Sequence, residues 1–412
     1  MKNRYLIVGL VLLVFFVISF LTNILGAINP NIKESFNLEF SSMGFMTLAF
    51  FSAYGIMSIP AGILVEKYKE KKIILSGFIL ACTGSFSFAI FPTYGLFLFS
   101  LFLIGTGMAM LQVAINPLLR EAGGKENFAF YSVLGQLFFG VAGVVGPYLF
   151  VYLMEHLGDK STSDKFILFL SGFVSENMSW VVIYWIFAAV AFIMVVVVLF
   201  VNFPNVELED NEKIGGLEVF KNLTKNRTVI AFFIGIFCYV GFEQGVSFWI
   251  SQFLEVYHKV DSETTGAAVV GNFWGFLTVG CFLGLVILKF LDSKKVLIIF
   301  SFFAFLSLTL ALFGNKQMAI LSFPAVGFFA SIMWSVIFSL ALNSVDKYHG
   351  SFAGILCTGI VGGAIVPFII GGLSEVLDLR FGMIFNYMTL AYIFSIGIWA
   401  KPLVNNKTIG SK

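Results

Sequence analysis

Residues 238–249 read Cys238-Tyr-Val-Gly-Phe-Glu-Gln-Gly-Val-Ser-Phe-Trp249. They lie within an apolar segment spanning 228–256, and a bilayer-spanning helix needs about 20 such residues. Glu243 stands about four helical turns from either end of that segment. No other Asp, Glu, Lys, Arg or His lies so deep in any hydrophobic segment of the chain. A carboxylate at that depth costs about 2.5–3.5 kcal/mol on insertion scales, so it faces a protein interior or a wet cavity. There it either locks two helices together or serves a functional site, and the neighbours Gln244 and Ser247 favour the second reading.

The rest of the chain is built like this segment. Hydrophobic residues make up 59% of its 412 residues and charged residues only 12%. A soluble globular protein carries about 25% charged residues. The composition therefore describes an all-α membrane protein whose partner is the lipid bilayer. The formal net charge of +2 says nothing about nucleic acid, but no basic domain or nucleic-acid motif appears, so no nucleic-acid partner is expected. Twelve segments are long enough to span: 5–27, 42–65, 73–91, 95–119, 128–155, 177–202, 228–256, 264–290, 296–313, 317–344, 350–376 and 381–400. The first follows Met-Lys-Asn-Arg and lacks a small-residue cleavage site, so it reads as a retained helix rather than a signal peptide.

The longest charged stretch lies between the sixth and seventh segments. It divides the chain into an N-terminal six-helix bundle (1–202), a cytoplasmic linker (203–227) and a C-terminal six-helix bundle (228–412), two pseudo-symmetric halves. With the N-terminus placed in the cytoplasm, 19 of the 25 Lys and Arg residues fall on the cytoplasmic side. The positive-inside rule then puts both termini and the linker there.

The four cysteines, Cys82, Cys238, Cys281 and Cys357, all fall inside apolar segments, which implies no disulfide framework and no metal-binding spacing. His156, His258 and His349 sit in or beside loops. No P-loop and no nucleophile–base set is present, so neither ATP hydrolysis nor enzymatic catalysis is expected, and no cofactor beyond a coupling ion. The runs Gly135–Pro147 and Gly359–Gly372 carry small residues at close spacing, which lets helices approach one another.

The polar groups at membrane depth are mostly amides: Asn23, Gln112, Asn116, Gln136, Gln244 and Asn272. Amides donate and accept. Each alone serves equally well as glue between helices. Trp249, Trp274 and Trp334 add aromatic faces in the second half. Amides, a carboxylate and aromatic faces suit a neutral polyol, whose hydroxyls take hydrogen bonds and whose C–H face packs on a ring. No embedded Arg or Lys offers an anion site. The candidate substrate-binding residues are therefore Asn23, Gln112, Asn116, Gln136, Gln244, Asn272, Trp274 and Trp334.

The layout resembles the major facilitator superfamily, and more narrowly its fucose/glucose/galactose–cation symporter branch, the family of bacterial L-fucose permease. The resemblance rests on Ser58–Gly62, Gly105–Pro117, Cys238–Glu243, Ser331–Leu340 and Gly359–Pro367, and covers nearly the whole chain. It implies two six-helix bundles around a midplane site, with alternating access. Where fucose permease carries acids in its first and fourth helices, this chain has Gly26 and Gln112. Proton coupling at those two positions therefore does not carry over. Several sugar transporters of the branch have a Glu after Tyr-Val-Gly-x, a pattern that Glu243 fits. The loop signature after the second helix keeps its acid and bases but lacks its glycine.

The expectation is a monomeric secondary active transporter in the plasma membrane (the bacterial inner membrane) that moves a monosaccharide or related polyol. Cation-coupled symport, with H+ or Na+, would run through Glu243, and any Na+ site would lie near that residue. The alternatives are an uncoupled facilitator or exporter of a small amphipathic solute and, from another class, a transporter-like nutrient sensor. The short linker and tail leave little room for a signalling module.

Overall fold

The computed structural model describes residues 2–123, 128–157, 164–201, 203, 217–288, 290–345 and 348–403. Most of the expected linker, and Lys125, Lys160, Lys213, Lys289, Lys347, Lys407 and Lys412, lie outside the described residues. Among the described residues there is no strand. Twelve helices are long and apolar enough to cross a membrane: α1 (Tyr5–Phe36), α2 (Phe40–Val65), α3 (Glu70–Ile90), α4 (Tyr94–Ile115), α5 (Leu134–Leu157), α6 (Met178–Phe200), α7 (Arg227–Ser247), α8 (Ser262–Gly284), α9 (Ser293–Phe313), α10 (Lys316–Leu342), α11 (Ser351–Val376) and α12 (Leu379–Trp399). A further helix, Ile250–His258, continues α7. Below, the end at which α1 begins is called proximal and the opposite end distal.

Several helices differ from uniform spans, among them α11, with a 3-10 turn at Gly359–Val361, and α12, with a turn at Phe385. α1 runs nine residues beyond the expected end at 27. Asn29, Pro30, Asn31 and Lys33 look like loop residues in sequence, but the first three are buried in helix. α1 is also broken at Asn23–Ile24, α7 at Phe248–Trp249 and α10 at Ser331–Ile332. Backbone groups freed inside a membrane must be satisfied by the protein, and side chains from other helices do this here. Asn29 Nδ2 donates to the Phe248 carbonyl at 2.8 Å. The Cys281 thiol donates to the Ser331 carbonyl at 3.1 Å. Lys71 Nζ caps the C-terminus of α6 through the Leu199 and Val201 carbonyls at 3.0 and 2.8 Å, where the helix dipole also favours a cation.

Two six-helix bundles meet along three seams. α2 packs on α11 through rings and small residues: Phe45 and Phe368 lie 4.9 Å apart between centroids, and a Cβ at Gly44 would come within 2.8 Å of the Phe368 backbone. α5 packs on α8, where Gly143 lies under Trp274 and Gly271 under Tyr148. α1 packs on the distal part of α7, where Gly26 leaves room for the Ser247 carbonyl. The distal end is closed by contacts between the bundles. Asn31 donates to Glu263, the Ser41 N–H donates to Glu375 at 3.2 Å, and Phe40 packs edge-on to Trp249 at 6.0 Å. Toward the proximal end, the first half of α1 and all of α4 make no extended packing contact with α7 or α10 among the described residues. Among the described residues the bundles are thus shut against each other distally, while α1 and α4 stand apart from α7 and α10 proximally.

Two expected outcomes follow from these contacts. Asn29→Ala leaves the Phe248 carbonyl unsatisfied, at a cost of about 1–3 kcal/mol. A thermal melt of the purified protein should show a lower midpoint, and an unchanged midpoint would remove Asn29 as the donor that supports the break. The second concerns Glu39, which lies outside the spans at the distal mouth. Its hydrogen bond to Glu375 and the negative charge of that partner hold its carboxyl above the ordinary carboxylate range. A value raised in the closed state favours closure at pH below the ordinary range, and this contribution is lost as pH rises through the raised value. Spin labels at Thr93→Cys and Leu377→Cys should report more of the short distance at low pH than at neutral pH, and Glu39→Gln should abolish that dependence.

Candidate functional site

The site is built from α7 outward. Tyr239 and Glu243 are four residues apart, so they share a helix face. The Tyr239 hydroxyl donates to Glu243 Oε1 at 2.6 Å. Tyr239 is buried, whereas Glu243 is half-buried. A hydrogen bond to a charged group contributes about 1.5–3 kcal/mol, comparable with the cost of holding a carboxylate at this depth.

Three other helices surround this part of α7. From α10, Trp334 packs on the Tyr239 ring at 6.1 Å between centroids and stacks on Phe338 at 5.8 Å with an interplanar angle of 23°. Trp334 and Phe338 are half-buried, and Ser335 and Ser339 beside them are exposed. From α8, Cys281 lies within electrostatic range of Glu243. From α11, Gly363 passes against the Gln244 side chain. Glycine is needed on the other faces of α7 as well: a Cβ at Gly245 would approach Asn386 of α12, and one at Gly241 would meet Val366 of α11. These close approaches fix the rotation of α7 and so the direction of Glu243.

A second cluster lies on the seams. At the break of α1, Asn23 Nδ2 donates to Ser19 Oγ at 2.9 Å, and both Asn23 and Trp274 lie against Gly143. Asn272 accepts from the Tyr148 hydroxyl at 3.0 Å, joining α8 to α5 across the bundles. Trp274 is buried, with Phe273 edge-on at 5.3 Å, so its ring faces are covered by protein in this conformation. α8 connects the two clusters through Trp274, Thr278 and Cys281, and Thr278 Oγ1 donates to the Trp274 carbonyl at 2.8 Å.

The candidates named from sequence are thus distributed. The structure places Gln244 beside Glu243, links Trp334 to Glu243 through Tyr239, and brings Asn23 near Trp274 at Gly143. Gln112 is half-buried on α4 and Gln136 exposed on α5. Gln136 precedes Gly140 and Gly143 on one helix face, and those glycines meet Thr278 and Trp274. It therefore continues the inter-bundle face proximally. The Asn116 side chain lies outside the described residues. Sequence reading missed Tyr239, Tyr148 and Cys281. Tyr239 was available from its i, i+4 spacing to Glu243, whereas Tyr148 and Cys281 have no local signal. Among the described residues no group of three or more His, Cys, Asp or Glu is placed to hold a metal ion. The four cysteines are free. A separate cavity of about 540 Å³ lies at the closed distal end, lined by Lys33, Gln252, Glu255, Lys259 and Asp261 among others.

The fold and sequence have known counterparts. The glucose/galactose transporter of Brucella abortus is 31% identical over 390 residues, covering 94% of this chain and 92% of its own. The L-fucose-proton symporter of Escherichia coli is 26% identical over 396 residues, covering 91% and 88%. Crystal structures of that fucose:proton symporter superpose with a TM-score of 0.70 at 21% identity, covering 97% of this chain and 99% of the other, and of 0.69 at 22% identity for the outward conformation. A bacterial homologue of the human lysosomal transporter Spinster, inward-facing and unoccupied, superposes with a TM-score of 0.77 at 15% identity, covering 96% and 97%. The Major Facilitator Superfamily profile matches residues 11–367, and with twelve membrane-spanning helices in two six-helix bundles, the chain belongs to the Major Facilitator Superfamily of membrane transporters.

Proposed function

We propose that this protein takes up a monosaccharide or related polyol by cation-coupled symport, with Glu243 as the coupling group. The observation that carries this reading is the lone carboxylate at mid-depth of α7, held by Tyr239 beside the half-buried aromatic shelf of Trp334 and Phe338. A carboxylate can bind a proton or, with neighbouring oxygens, a Na+ ion. An aromatic shelf beside exposed hydroxyls suits the C–H face and the hydroxyls of a pyranose. The named activities of the relatives support the same class: glucose and galactose for one, fucose with a proton for another.

In this reading residues 1–202 and 228–412 rock as two monomeric half-bodies joined by the linker 203–227, with both termini and the linker in the cytoplasm. The proximal opening then faces the cytoplasm and the closed distal end faces outward, the state from which solute and cation are released. Opening outward requires breaking the Asn29–Phe248, Asn31–Glu263 and Ser41–Glu375 hydrogen bonds while the α2–α11 and α5–α8 seams serve as pivots. Gln112, Asn116 and Gln136 supply hydrogen bonds from the N-terminal bundle, and Gln244 from the C-terminal one. Asn23, Asn272 and Trp274 belong to the same solute site, placed on the seams about which the bundles rock.

One observation favours the second reading, an uncoupled facilitator. Gly26 stands where fucose permease has an acid, and here it is packed against the Ser247 carbonyl, leaving that position no side chain to titrate.

Glu243→Gln should abolish gradient-driven accumulation in proteoliposomes while leaving exchange of labelled solute across the membrane. Accumulation that persists in this variant would remove Glu243 as the coupling group. Gln136→Ala and Asn116→Ala should each weaken solute binding by about 1 kcal/mol or more, roughly five-fold or greater in Kd, as expected for a lost hydrogen bond. A thermal-shift titration against sugars measures this, because a ligand of the folded state stabilises it by mass action. Unchanged affinity in both would return them to helix packing.

A further inference from the structure

We propose that Tyr239 is a positioning residue that ties the aromatic shelf of Trp334 and Phe338 to the Glu243 carboxylate, so that solute on the shelf alters how Glu243 holds its cation. This deepens the symport reading and rests on it. The geometry is a three-part chain. The Tyr239 hydroxyl holds Glu243 Oε1 at 2.6 Å. The ring of the same residue bears on Trp334 at 6.1 Å and 55°. Trp334 in turn stacks on Phe338. Tyr239 is 3% exposed, so its ring cannot yield toward solvent when Trp334 moves.

The shelf lies just beyond a helix break. Trp334 and Phe338 lie on Met333–Leu342, the short helix that follows the break at Ser331–Ile332. That break is held by the Cys281 thiol, itself an electrostatic neighbour of both Tyr239 and Glu243. Solute packing on the half-buried shelf therefore presses on a hinged element whose inner face is the Tyr239 ring. A shift of that ring lengthens or shortens the hydroxyl–carboxylate contact. Besides Tyr239, Cys281 of α8 is the titratable group facing the carboxylate. No Lys, Arg, His, Asp or second Glu faces it from α7, α8, α10, α11 or α12 among the described residues.

The test uses the full-length protein in proteoliposomes with D-glucose as the probe, reading cation-activated counterflow and gradient-driven accumulation separately, each with H+ and Na+ titrated independently. Tyr239→Phe keeps the ring and removes the hydroxyl. It should retain counterflow but move the half-activating cation concentration by roughly tenfold, as loss of one hydrogen bond to a charged group implies. Trp334→Leu does not touch Glu243, yet it should move the same half-activating concentration by a severalfold factor. Half-activating values in both variants that stay within about twofold of the unaltered protein, below the effect of one hydrogen bond, would reduce Tyr239 to a packing residue and overturn the proposal. A merely structural role for Tyr239 would lower transport at every cation concentration without moving the midpoint. If Glu243→Gln keeps its cation dependence, the symport reading fails instead, independently of the Tyr239 result.

Discussion

A carboxylate about four helical turns from either end of its span needs partners inside the protein, and Glu243 is met by the Tyr239 hydroxyl. That contact constrains much of the second bundle. It requires α7 to be rotated so that Tyr239 and Glu243 share the face toward α8 and α10. Gly241 and Gly245 allow the rotation by letting α11 and α12 come close on the other faces. With α7 so placed, Trp334 covers Tyr239, and Asn386 Nδ2 reaches the Gly245 carbonyl at 3.3 Å and the Met383 carbonyl at 3.1 Å. A span that carries a charge is thereby built into a bundle that spends several close helix contacts on orienting it.

The broken helices obey the same rule applied to the backbone. An interrupted helix inside a membrane is tolerated where its freed carbonyls are satisfied by protein or line a cavity. The break in α7 takes its donor from Asn29 of the opposite bundle, whereas the break in α10 takes its donor from Cys281 of the same bundle. The difference has a mechanical consequence. The first contact joins the two bundles at the closed distal end, so in the proposed rocking it is one that distal opening would break. The second survives any rigid-body rocking of the bundles and keeps the Trp334 shelf hinged in place. The small residues of the α2–α11 and α5–α8 seams let backbones approach closely enough to pivot without unpacking.

Much of this was legible in the sequence because length and apolarity are local properties. Twelve spans and the depth of Glu243 follow from counting, and family membership follows from motifs spread over both halves. What was not legible depends on the opposite bundle. The stretch Asn29-Pro30-Asn31 reads as a loop until Phe248 and Glu263 are present to take its amides. Pro30 is the sixth residue of the helix that begins at Leu25, past its first turn, so it removes the i→i−4 hydrogen bond to Gly26 and reads in sequence as a helix breaker. Trp274 is conspicuous in sequence, but its covering by Gly143 is a property of the seam. The Tyr239–Glu243 pair is the intermediate case: its spacing was visible, while the choice of Glu243 over solvent as the hydroxyl's partner is made by burial.

Whether an ion gradient drives solute through this protein is read from D-glucose uptake into proteoliposomes under a proton gradient and a Na+ gradient imposed independently. With Glu243 as the coupling group, one of the two gradients drives glucose inside above the outside concentration, and collapsing that gradient with an ionophore returns it to equality. Glucose that enters but only equilibrates, whichever gradient is applied, would contradict coupled uptake.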